Sequence, residues 1–191
     1  MKDANIESFK KQLSYYKHLG YKTFEQLEEK QLFWQFNSES NSIAVIVKHL
    51  HGNMLSRWTD FLSSDGEKDW RNRDAEFEST FTSKDEMLRK WEEGWDCLFK
   101  ALDTVSESKI NQKVYIRNVR HTIEEAFQRQ LTHCAYHIGQ IVYVARMLKA
   151  EKWESLSIPK GNSKKYNQEK FSKAKSEEHF TDEFLGKDGL A

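Results

Sequence analysis

The stretch Thr122–Lys149, TIEEAFQRQLTHCAYHIGQIVYVARMLK, decides the fold class. It opens on a capping box: the Thr122 hydroxyl can accept from the backbone N–H of Glu125 while the Glu125 carboxylate reaches back to the N–H of Thr122. Ile123, Phe127, Leu131, Cys134, Ile138, Ile141, Ala145 and Leu148 then recur at helical spacing. That stripe predicts an amphipathic helix running to about Lys149. A helix apolar along one face needs other helices to cover it, and three more segments of the same kind are present.

The first, roughly Ile6 to Leu27, carries Phe9, Leu13, Tyr16 and Leu19, then Phe24 and Leu27 after a break expected at Gly20. A second, about Ser42 to Leu62, repeats Ile43, Val47, Leu50, Met54, Trp58 and Phe61. The third starts at Ser83 with a second capping box, SKDE, and continues through Met87, Leu88, Trp91, Trp95, Leu98, Phe99 and Leu102. Four such helices predict an all-α fold, a four-helix bundle over residues 1–158. The connection Ser63–Thr80 between the second and third helices is long and polar, a kind often functional. Val114–Ile116 is a β-prone piece with no evident partner strand. Residues 159–191 read as a short, partly ordered C-terminal extension, with a surface helix around Tyr166–Phe180 and a loose last dozen residues.

Composition narrows the function classes. Thirty basic residues balance thirty acidic ones, so no electrostatic footprint for nucleic acid or an anionic membrane is present. The first residues contain no apolar run of a signal peptide, and no window approaches the ~18 apolar residues of a membrane span. Cys97 and Cys134 form neither a disulfide framework nor a CxxC pair. The expectation is a soluble, cytoplasmic protein. One proline and eight glycines suit long helices.

Within the fourth helix, His133 and His137 stand at i, i+4 on one flank of the stripe, beside Gln130 and Gln140. A neutral imidazole is a common metal ligand, although such a pair alone is more often packing or solvated surface. No HExxH motif is present. A third ligand would come from the second helix, where periodicity favours His51, at the edge of the apolar stripe, over His49. A helix apolar on two sides would admit either, so the spacing leaves both open. His18, His121 and His179 read as ordinary surface histidines.

The segments NSIAVIVKHLHGNMLSRW (Asn41–Trp58) and HCAYHIGQI (His133–Ile141) together resemble the DinB-like superfamily of four-helix bundle proteins. FLSSDGEKDWRNRDAEFE and SIPKGNSKKYN resemble an uncharacterised, DUF1572-like subgroup of it, and the resemblance covers roughly residues 5–170. It implies a divalent metal, nickel or zinc, held by His49, His133 and His137, with His51 not a ligand. It also implies a homodimer and, as the foremost activity, a thiol-dependent transferase acting on a small-molecule substrate with a low-molecular-weight thiol as second cofactor. Three neutral imidazoles with open positions suit a catalytic rather than a structural centre. The alternatives are a metal-dependent hydrolase, with Glu125 or Asp60 as proton shuttle, and a non-catalytic stress-related dimerisation module with Trp58, Trp70, Trp91 and Trp95 at its interface. Arg57, Arg71, Arg73 and Arg129 are the cations available beside the site. The roles of Asn53 and Gln140 stay open, and no catalytic residue is assigned.

Overall fold

A computed structural model describes residues 4–185 and is mostly helical. Its elements are α1 (Ala4–Glu25), α2 (Glu29–Leu32), α3 (Ile43–Trp58), α4 (Lys84–Asp103), β1 (Lys113–Ile116), β2 (Val119–Thr122), α5 (Ile123–Lys149), α6 (Ser163–Phe171) and α7 (Asp182–Leu185). The long helices α1, α3, α4 and α5 follow the four apolar stripes. Helix α3 packs on α4 and α1 on α5, while α3–α5 and α1–α4 contacts close the ring around one core. Among the described residues no helix is long and apolar enough to cross a membrane.

The helix starts are set as their sequences dictate. Ser42 Oγ accepts from Val45 N at 3.2 Å, and the Thr122–Glu125 box is complete. At α4 only half of the expected box forms. Ser83 Oγ accepts from Glu86 N, but the Glu86 carboxylate reaches one residue further back and takes both the N–H and the hydroxyl of Thr82. Each such cap contributes about 1 kcal/mol.

Three expectations are corrected. Helix α1 does not break at Gly20. The ring of Trp91 on α4 packs directly on that glycine, so a Cβ there would lie 2.5 Å from the Trp91 ring edge. The glycine permits a close helix crossing rather than a stop. Secondly, Val114–Ile116 has a partner: β1 and β2 pair antiparallel, Lys113 opposite Thr122 and Ile116 opposite Val119. Their two-residue turn, Arg117–Asn118, has both φ values positive, as a type I′ turn requires. The Asp65 carboxylate holds that turn by accepting from the N–H groups of Arg117 (2.7 Å) and Asn118 (2.8 Å). Thirdly, Trp58, Trp91 and Trp95 are buried in the core and line no interface; of the four tryptophans named for one, only Trp70 is largely exposed.

The long connection after α3 is laid against the molecule, not free. Gly66 N donates to Tyr115 O at 2.8 Å, and Ser56 Oγ both donates to Gly66 O and accepts from Lys68 N. A 3-10 turn, Asp74–Phe77, then returns to α3, where Lys48 donates to the carbonyls of Ala75 and Glu78. At the far end α7 docks on α1 through the Lys11–Asp182 ion pair and the Tyr15–Phe184 ring contact. Residues 180–185 are therefore packed rather than loose; the rest of the expected loose tail, residues 186–191, lies outside the described residues.

Candidate metal centre

Helix α3 is buried nearly all round, since Ala44, Val45 and Ile46 join the main stripe inside the protein. That double burial lets its two histidines face different neighbours. His51 leans towards α4, with Nε2 3.3 Å from the Glu93 carboxylate. His49 turns to the other side, is 5% exposed, and meets His133 and His137 of α5. Ring centroids are 5.3 Å apart for His49–His133, 4.8 Å for His49–His137 and 4.6 Å for His133–His137. One nitrogen from each ring lies within 4.8 Å of the others. His18, His51, His121 and His179 are outside this cluster; His121 and His179 bond to Val119 O and to Ser8 and Thr181.

Two of the three imidazoles are oriented from behind. His49 Nδ1 donates to Glu76 Oε2 at 2.9 Å, and His137 Nδ1 donates to Gln140 Oε1 at 2.8 Å. An acceptor on Nδ1 fixes the tautomer and leaves Nε2 with its lone pair. The His49 and His133 Nε2 atoms stand 3.2 Å apart. His133 Nδ1 is buried and has no partner among the described residues. Burial, then the charges of His137 and His49, push His133 down to about 2. Burial and His49 push His137 down to about 4, against the opposing pull of Gln140. At neutral pH both rings are thus in the neutral form that binds metal. Three convergent imidazole nitrogens could hold a metal ion.

Glu76 was not legible as part of the site, yet it anchors it. Arg71 grips its carboxylate in a fork, Nε to Oε1 at 2.8 Å and Nη2 to Oε2 at 3.0 Å, and extends Nη1 to Glu67. Burial alone would raise the Glu76 pKa, but the hydrogen bonds from His49 and Arg71 hold it below the usual carboxylate range. The one sequence signal for this arrangement is Gly52. A glycine inside a helix costs about 1 kcal/mol relative to alanine, so it asks for a reason. A Cβ on Gly52 would collide with the Glu76 carboxylate, coming within 2.7 Å of its Cδ. The glycine opens the surface of α3 on which Glu76 lies.

The expected neighbours divide. Arg71 is committed to Glu76 and Glu67, Arg73 lies over the Phe77 ring at 5.0 Å, and Arg129 bonds to His121. Arg57 is buried against Gln130. Neither candidate shuttle reaches the histidines: Glu125 caps α5, and Asp60 forms the positive-φ turn after α3, where its carbonyl accepts from Ser63 and Ser64. At the rim, Phe77 stacks on His49 (5.0 Å, 26°) and Tyr136 stands edge-on to His137 (4.9 Å, 74°).

A family model described as protein of unknown function (DUF1572) matches residues 2–162, and the chain belongs to this family. No curated protein and no solved structure matches it.

Proposed function

We propose that this member of the DUF1572 family is a DinB-like four-helix bundle that holds one divalent ion, nickel or zinc, on His49, His133 and His137. We read it as a metal-dependent enzyme acting on small molecules, a thiol-dependent transferase. The observation that carries the reading is the convergence of three imidazoles from two helices, two of them locked on Nδ1 so that Nε2 faces inward. A bound ion would supply Lewis acidity, lowering the pKa of a coordinated thiol or water. Glu76 and Gln140 orient two ligand rings, and burial keeps His133 and His137 unprotonated. Phe77 and Tyr136 give the rim an apolar character suited to an aromatic electrophile.

The transferase reading is preferred to the hydrolase because it needs no general base. Among the described residues the one carboxylate bonded to the triad, Glu76, is occupied by His49 and Arg71, and Glu125 and Asp60 bond elsewhere.

Metal analysis of protein purified without a histidine tag tests the site. One divalent ion per chain is expected, with almost none in His49→Ala and His133→Ala. Full occupancy in both variants overturns it. Incubation with low-molecular-weight thiols and a chlorinated aromatic electrophile tests the reaction: thioether and chloride should form in equal amounts as the thiolate displaces chloride. No conjugation with any thiol, together with hydrolysis of an ester or amide panel, would replace the transferase by the hydrolase.

A further inference from the structure

Arg57 presents an electrostatic imbalance that nothing described so far accounts for. It lies two turns beyond His49 on α3, is 7% exposed, and makes one hydrogen bond among the described residues, Nη1 to Gln130 Oε1 at 3.1 Å. Its Nε is buried without a partner. Gln130 is neutral and already divided, because the same oxygen also accepts from Trp58 Nε1 at 3.2 Å and its amide nitrogen points at Cys134 Sγ. The nearby carboxylates are occupied too: Glu76 by Arg71 and His49, Glu67 by Arg71 and Arg117. Burial lowers the Arg57 pKa to about 10, which leaves it charged at neutral pH. A buried, charged guanidinium answered only by an amide is costly unless another partner arrives.

Two further unpartnered atoms lie in the same strip. Asn53 is midway between His49 and Arg57 at i, i+4 spacing, is 4% exposed, and has no partner for Oδ1. On the facing helix, His133 stands one turn from Gln130, and its Nδ1 is also unpartnered. Residues three or four apart on a helix are about 5–6 Å neighbours, so Arg57 and Asn53 lead stepwise to the histidines.

We propose that Arg57 and Asn53 form a subsite for the carboxylate end of a small-molecule substrate whose other end faces the three histidines. The assignment rests on the small-molecule reading above for its substrate. Arg57 takes the carboxylate, and Asn53 Oδ1 accepts from a donor next to it, such as a hydroxyl or N–H. A carboxylate fits better than a phosphate because Gln130 already takes Nη1 of the single buried guanidinium, and the nearby Glu67 carboxylate opposes a dianion.

The probe is glycolate, a carboxylate with an adjacent hydroxyl, added to the metal-free full chain against sodium chloride of equal ionic strength. Metal-free protein makes the outcome independent of the metal, so failure here is distinguishable from failure of the three-histidine site. Glycolate at tenfold excess over its Kd should raise Tm by about 3 °C and shift the Trp58 indole N–H resonance, whose acceptor oxygen Arg57 shares. Arg57→Gln, which removes a buried charge and keeps an amide, should abolish both effects while Arg129→Gln retains them. If Arg57→Gln does not fold, Arg57→Lys should weaken glycolate binding about tenfold by losing the guanidinium fork. An undiminished response in the folded Arg57 variant, no response in wild type, or a larger response to phosphate than to glycolate overturns the proposal.

Discussion

Two buried polar clusters share the inner side of helix α3, and they are balanced differently. Around His49, charge alternates: Glu67, Arg71, Glu76 and the imidazole each meet an opposite or complementary partner. Around Arg57, two turns on, a full charge faces the neutral Gln130. In the first cluster Glu67, Arg71 and Glu76 are all paired within the chain, although His133 Nδ1 has no partner among the described residues. The second is not complete. A buried group satisfied by its own chain maintains the fold, whereas one left short points to something the chain does not contain.

That contrast can be broken by mutation, beginning with the largest expected effect. Glu76→Gln removes the one charge that Arg71 and His49 share. Urea unfolding should show a loss of about 3 kcal/mol, the lower end of the cost of breaking a buried pair, because Arg71 keeps Glu67 as a partner. Metal titration of the same variant should show affinity weakened by about 10–100-fold, because the His49 ring loses its orienting carboxylate. Gly52→Ala gains about 1 kcal/mol of helix propensity, yet its methyl displaces the same carboxylate, for a net loss of about 1–2 kcal/mol. A stabilised Gly52→Ala protein with unchanged metal affinity would show that Glu76 does not need that surface.

Acid provides a third perturbation. His133 and His137 are held at about 2 and about 4, below their ordinary 6.5. The unfolded chain therefore binds protons first. Their contribution to stability is complete above about pH 6.5 and is lost as pH falls below it, down to about 4 for His137 and about 2 for His133. The Tm of metal-free protein should decline across that window, and His137→Asn should flatten part of the slope. A Tm independent of pH from 7 to 4 would mean the imidazoles are not held neutral by burial. The smallest effect is expected at Arg57→Met. Replacing an unpaired buried charge by an apolar chain of similar length should leave stability within about 1 kcal/mol of wild type, or raise it. A loss comparable to that of Glu76→Gln would place Arg57 in the first class, as a group the fold requires.

Much of the helical layout was legible because periodicity and caps are local. The Thr122–Glu125 box and the Ile123-to-Leu148 stripe predicted α5 closely, and His133 and His137 necessarily share a face. What was misread depended on partners distant in sequence. Gly20 resembled a break until the Trp91 ring was found lying on it. Val114–Ile116 showed no partner strand, since its pairing with Val119–Thr122 depends on an Arg117–Asn118 turn that Asp65 stabilises from the connection after α3. Spacing left His49 and His51 both open because it cannot tell which of the two buried faces of α3 meets α5, and only the family resemblance pointed to His49. Glu76 sits in a polar loop whose composition is that of solvated surface, and only Gly52 hinted at its docking.

By itself, then, the sequence determined where helices start and which side chains share a helical face, because those follow from bonding and spacing within a few residues. The tertiary structure alone decided which carboxylate orients the α3 histidine and that Arg57 is buried without a carboxylate partner among the described residues. Those outcomes turn on close approach between distant segments, where a missing Cβ or a burial cost of several kcal/mol outweighs any local preference.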